Sequence, residues 1–119
     1  MKAFTDLDQS KKLAKILPAE SADMCYIQNS PGGKYELCLG NVIPSPGQSK
    51  ILAWSLGALI DSLPRINYFK PIIELEDCSI VYKYETGLPE DLWVKSNNLV
   101  NACYKMIVKL QEENYKFDE

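Results

Sequence analysis

Apolar positions recur along this chain in two periods, and the switches between them mark its elements. Leu13, Ile16 and Leu17 are spaced by three and four and end at Pro18, which predicts a first helix starting at Thr5-Asp6-Leu7-Asp8. Thr5 is the expected cap, and Asp8 sits where negative charge meets the positive end of the helix dipole. Residues 24–28 and 35–39 read as strands around the turn signal Asn29-Ser30-Pro31-Gly32-Gly33, a hairpin with a loop of about six residues. A register centred on that loop puts Met24, Tyr26, Leu37 and Leu39 on one face and sets Cys25 opposite Cys38 on the other.

Residues 40–49 carry Pro44, Pro46 and Gly47 and are expected to form an irregular surface loop. A second helix follows, beginning near Ser49 and clear from Ser55, where Leu56, Leu59, Ile60 and Leu63 recur at helical spacing before Pro64. Residues 72–75 and 79–85 predict another hairpin across Glu76 and Asp77, with Ile80, Tyr82 and Tyr84 alternating against Ser79, Val81 and Lys83. A short strand at 92–95 leads to Ser96-Asn97-Asn98, which offers caps for a last helix whose stripe is Leu99, Cys103, Met106, Ile107 and Leu110. The expectation is a single α+β domain over 1–119, in the order α-β-β-α-β-β-β-α, with a mainly antiparallel sheet covered by helices on one face.

Charge narrows the partners. The net charge is −3, with 13 Lys and Arg residues scattered among 16 Asp and Glu, so no basic patch is available to displace counterions from phosphates and no nucleic-acid partner is expected. Lys11, Lys12 and Lys15 read as a solvated helix face beside Asp6 and Asp8. The longest apolar stretch, 51–60, is interrupted by Ser55 and Gly57 and falls well below the roughly 20 residues that cross a bilayer. With no apolar leader after Met1, the expected location is the cytoplasm, where Cys25, Cys38, Cys78 and Cys103 stay as thiols and act as small buried hydrophobes.

Histidine is absent, which removes the commonest general base, the usual partner of a nucleophilic Ser or Cys, and the commonest metal ligand. Ser55 lies in no Gly-x-Ser-x-Gly elbow and reads as a helix cap. The cysteines show no Cys-x-x-Cys spacing, so a metal or redox site would have to use Cys25 and Cys38 across the hairpin. Glu74, Glu76, Asp77, Glu90 and Asp91 fall in turns, where acids are usually solvated, and Gly32-Gly33-Lys34 lacks the phosphate-loop spacing. No metal or cofactor is expected. What remains is surface recognition: Trp54, Trp93, Tyr35, Tyr68 and Phe69 lie near element ends, where aromatics either seal a core or anchor a partner, here together with the 40–49 loop.

Three stretches carry a resemblance. They are Ser21-Ala22-Asp23-Met24-Cys25-Tyr26, the run from Ala53-Trp54-Ser55-Leu56-Gly57 to Ser62-Leu63-Pro64, and the run from Asn101-Ala102-Cys103-Tyr104 to Lys109-Leu110. Together they resemble a family of small uncharacterised proteins of gut bacteria, their prophages and other mobile elements. The resemblance implies an accessory role in a mobile element and brings no activity or cofactor with it. Ala53 stands where that family often has cysteine and Gln111 where it often has histidine, which weakens a shared Cys/His site. The reading favoured here is a non-enzymatic module that binds a protein partner or a second copy of itself. The alternative is a small thiol- or metal-dependent sensor or enzyme using Cys25 and Cys38.

Overall fold

A computed structural model describes residues 2–66, 70–82, 92–115 and 117. Helix α1 (Leu7–Leu13) starts one residue later than Thr5 would set it. Asp6 is the cap: its carboxylate accepts from the Gln9 N–H, and the Gln9 side chain accepts from the Asp6 N–H, a reciprocal capping box. Thr5 is diverted inward. It is fully buried, shares a hydrogen bond of 2.7 Å with the Ser10 hydroxyl and accepts from the Trp54 N–H. After Leu13 the chain continues in turns to Pro18 and a short 3-10 turn, Ala19–Ser21, so the helix is shorter than the apolar spacing predicts.

The first hairpin forms with the expected register. Strands β1 (Met24–Gln28) and β2 (Tyr35–Leu39) are antiparallel, with Met24 opposite Leu39, Tyr26 opposite Leu37 and Cys25 opposite Cys38. The order expected from the sequence is present with one addition. Ser49–Ala53, assigned above to the loop and the approach to a helix, is a strand, β3, paired antiparallel to β1 on its other edge. Helix α2 therefore begins only at Leu56 and runs to Ser62, capped by the Ser55 hydroxyl, which accepts from the Ala58 N–H.

The sheet order β2-β1-β3 forces the 40–48 connection to pass over β1 from one edge to the other. Lys50 shares a face with Cys25 and Ile27, and its ammonium donates to the Asn41 side chain and the Val42 carbonyl. The crossing thus lies on that face as a strap. Gly40 makes the turn into it at φ +87°, a left-handed backbone that favours glycine, and its N–H donates to the Asp23 carbonyl. The opposite face, with Met24 and Tyr26, packs against Phe4 and Leu7, and the Tyr26 hydroxyl donates to the Thr5 carbonyl.

A second sheet stands apart in hydrogen bonding. It contains β4 (Ile72–Glu74), β5 (Ser79–Tyr82) and β6 (Leu92–Lys95), antiparallel in that order, so the strands divide into two sheets of three. The β4–β5 turn holds Cys78 at φ +51°. The expected continuation of β5 through Tyr84 and Glu85, and the acids Glu90 and Asp91, lie outside the described residues. Helix α3 (Leu99–Glu112) is capped by Asn98, whose side chain accepts from the Asn101 N–H, and it packs on β5, β6 and α2. Its buried stripe, Val100, Cys103, Met106, Ile107 and Leu110, joins Leu13, Leu17, Trp54, Leu59, Leu63, Ile80 and Tyr82 in the main core. Each large side chain buried there contributes about 1.5–3 kcal/mol of apolar transfer.

Candidate interaction surface

The second sheet has two unlike faces because its register aligns residues in rows. Ile73, Ile80 and Val94 form one row, which packs into the main core. Ile72, Val81 and Trp93 form the next, on the opposite face. There Trp93 is 55% exposed and Ile72 47%, and Val81 between them is partly exposed. Two residues along the strands lies a polar row, Glu74, Ser79 and Lys95, with its acid on one edge strand and its base on the other. Leu75, in the adjoining turn, is also exposed. This face therefore presents an exposed apolar row with a charged row beside it among the described residues.

Of the five aromatics singled out in the sequence, the three described ones do not share a patch. Trp54 is fully buried in the main core, its indole N–H donating to the Ser21 hydroxyl at 2.9 Å, so it seals the core and cannot contact a partner. Tyr35 is half-buried on β2 and packs at the edge of the small cluster that includes Tyr26. Trp93 alone of the described three presents its ring to solvent, while Tyr68 and Phe69 lie outside the described residues. The 40–48 strap exposes apolar residues of its own, Ile43 at 87% with Val42 and the adjacent Leu39. Sequence reasoning passed over Ile72, Val81 and Ile43. The alternation in 79–85 had already placed Val81 opposite Ile80 and Tyr82, which was the available signal.

Cys25 and Cys38 face each other across the hairpin, Cys25 fully buried and Cys38 partly exposed. Burial, then the neighbouring Cys25 thiol, then Glu36 push the Cys38 thiol above its ordinary pKa, which keeps it protonated. Cys103 is buried in α3, and burial pushes its thiol up to about 12. Cys78, expected as a small buried hydrophobe, instead occupies the tight β4–β5 turn and is partly exposed.

A groove of about 850 Å³ runs between the 18–23 segment and α2, with Asp61, Arg65 and Lys70 among its lining residues. Its hydroxyls are committed to holding backbone. Ser21 donates to the Pro18 carbonyl, Ser62 donates to the Ala58 carbonyl, and Ser55 donates to Asp23, whose other oxygen accepts the Ser55 N–H. Lys70 donates to the Leu63 carbonyl. Among the described residues no group of three or more Cys, Asp or Glu is placed to hold a metal ion, and no helix is long and apolar enough to cross a membrane. No protein-family model, no curated protein and no solved structure matches this chain.

Proposed function

We propose that this protein is a non-enzymatic protein-interaction module, with an accessory role in a phage or other mobile element, and that it docks its partner on the outer face of β4-β5-β6. The observation that carries the reading is the Ile72-Val81-Trp93 row: three apolar side chains aligned across three strands and facing solvent, with the indole as anchor. The hydroxyls of the groove beside α2, with Asp23 and Lys70, already serve the fold, which leaves the sheet face as the better candidate. The test compares wild type with Trp93→Ser as bait in a nuclease-treated lysate of a native host. A stoichiometric partner that is lost with Trp93→Ser, while circular dichroism stays unchanged, supports the reading. Retention by the variant moves the docking surface elsewhere on the molecule, with the exposed Ile43 strap as the next candidate.

A second reading is favoured by one specific observation, the direct opposition of Cys25 and Cys38. Directly opposed residues of an antiparallel pair have Cα atoms about 4.5–5.5 Å apart, inside the range a disulfide spans. This supports a thiol-dependent role in which the pair is oxidised and reduced. The raised Cys38 pKa makes that exchange slow at neutral pH, since the thiolate is the attacking species.

A further inference from the structure

The charges beside the apolar row are arranged so that a second copy of the same surface complements them. Take the outer face of β4-β5-β6 with its strands vertical. Ile72, Val81 and Trp93 run across it from the β4 edge to the β6 edge, and Glu74, Ser79 and Lys95 run in the same order one row away. Both edge strands point the same way, so Glu74 and Lys95 lie at the same height on opposite edges. A two-fold axis parallel to the strands and lying between two such faces exchanges the edges and keeps the height. Glu74 of each copy then faces Lys95 of the other, Trp93 faces Ile72, and Val81 faces itself on the axis. A two-fold axis at right angles to the strands would set Glu74 against Glu74 and Lys95 against Lys95. Neither Glu74 nor Lys95 has an ion-pair partner among the described residues.

We propose that the occupant of this face is a second copy of the chain, in a two-fold dimer with the β4-β5-β6 sheets stacked face to face and their strands aligned, closed by two Glu74–Lys95 pairs between copies. The inference rests on the docking-face reading above and names its partner. Stacked sheets pack about 10 Å apart with strand directions within about 30° of each other, which suits a parallel axis. An interface around a two-fold axis must be self-complementary, and this register provides that in both its apolar and its charged rows. Three strands about 4.8 Å apart and four residues long give a footprint on the order of 200 Å². That is well under the roughly 800 Å² per partner of a standard stable interface, so the dimer is reversible and concentration-dependent.

Analytical ultracentrifugation over a concentration series tests it, using the full chain and single-site variants. Wild type is expected to move from monomer to dimer as concentration rises. Glu74→Lys gives a face with two positive edges and Lys95→Glu one with two negative edges. Each alone is expected to weaken self-association by about tenfold or more, because both attractive pairs become repulsive. An equimolar mixture of the two variants restores dimer, and so does the double variant Glu74→Lys/Lys95→Glu. Val81→Arg, on the central strand, abolishes dimer in the face-to-face arrangement and would leave an edge-to-edge dimer intact. Monomer at every concentration, failure of the mixture to associate, or dimer unaffected by Val81→Arg would each overturn the proposal. A monomer that still captures a host protein through Trp93 would reject the self-pairing and retain the docking face, whereas loss of both rejects both.

Discussion

The two tryptophans show how far residue type falls short of residue role. Trp54 is fully buried with its N–H bound to Ser21, whereas Trp93 lies half in solvent on the outer sheet face, and nothing in their immediate sequence separates the two outcomes. Burial is decided by what the fold gathers around a side chain, and Trp54 shares its core with residues as distant in sequence as Leu13 and Leu110. Trp54→Ala is expected to cost about 3–5 kcal/mol and Trp93→Ala to stay within about 0.5 kcal/mol, both read by urea denaturation. Comparable costs would place the two rings in similar surroundings. Cys103 gives a second residue-scale prediction. Burial lifts its thiol from 9.0 to about 12, and burial also raises the Tyr82 hydroxyl. Between those pH values the unfolded chain releases the Cys103 proton and the folded chain keeps it. Its contribution is therefore full below pH 9 and declines as pH rises through the window, at about 1.4 kcal/mol per pH unit. From pH 7 to 10.5 wild type should lose about 2 kcal/mol more than Cys103→Ala, and equal losses would show that this thiol is not the source.

At the scale of elements, the hairpins and the last helix were legible because their signals are local. A symmetric turn of Asn29-Ser30-Pro31-Gly32-Gly33 sets the β1–β2 register, and a stripe at helical spacing marks α3. Strand β3 was not legible, because Ile51 turns to the α1 side while Leu52 turns to the main core. With both faces covered, the polar alternation of a half-exposed strand disappears, and the run into Leu56 resembles a helix approach. The division into two sheets had no local signal either, since pairing is a long-range choice. Thr5 and Asp6 were both competent caps, and the buried Ser10 hydroxyl and Trp54 N–H claimed Thr5 for the interior. Burial works to raise the Asp6 carboxyl, but the Gln9 N–H and the Lys2 ammonium hold it below its ordinary value, as expected of an engaged cap. Asp6→Ala should cost about 1 kcal/mol of stability. The opposed cysteines make the hairpin testable in another way. With oxidised glutathione at mildly alkaline pH, one chain thiol displaces a glutathione thiol and the other resolves the mixed disulfide, so two chain thiols are oxidised and two glutathione thiols leave. The native protein should become lighter by about 2 Da, with peptide mapping placing the bond between Cys25 and Cys38. Persistent glutathione adducts without ring closure would mean that the thiols do not meet.

For the molecule as a whole, the question is whether two hydrogen-bonded sheets make one cooperative unit. Their link is carried by a few residues. Leu52 reaches from β3 into the main core, and Trp54, two residues on, lies in the same core. The segment before α1 runs beside this junction, with the Thr5 N–H donating to the Trp54 carbonyl and the Leu56 N–H to the Ala3 carbonyl. Lys2 and Gln9 both donate to the Asn101 side chain, which ties the N-terminal segment and α1 to α3. Separating the sheets would expose Trp54 and break the Lys2 and Gln9 hydrogen bonds to Asn101, at about 0.5–1.5 kcal/mol net for each bond lost. Apolar burial adds to that cost, so the two sheets should unfold together. Trp93→Phe leaves Trp54 as the only indole and makes it a reporter placed at the junction. Its fluorescence and the far-ultraviolet circular dichroism should trace one coincident urea transition with a single midpoint. A Trp54 transition that precedes loss of α3 ellipticity would show that the β1-β2-β3 sheet detaches first. The chain would then be two coupled units, with the outer β4-β5-β6 face carried on the more stable one.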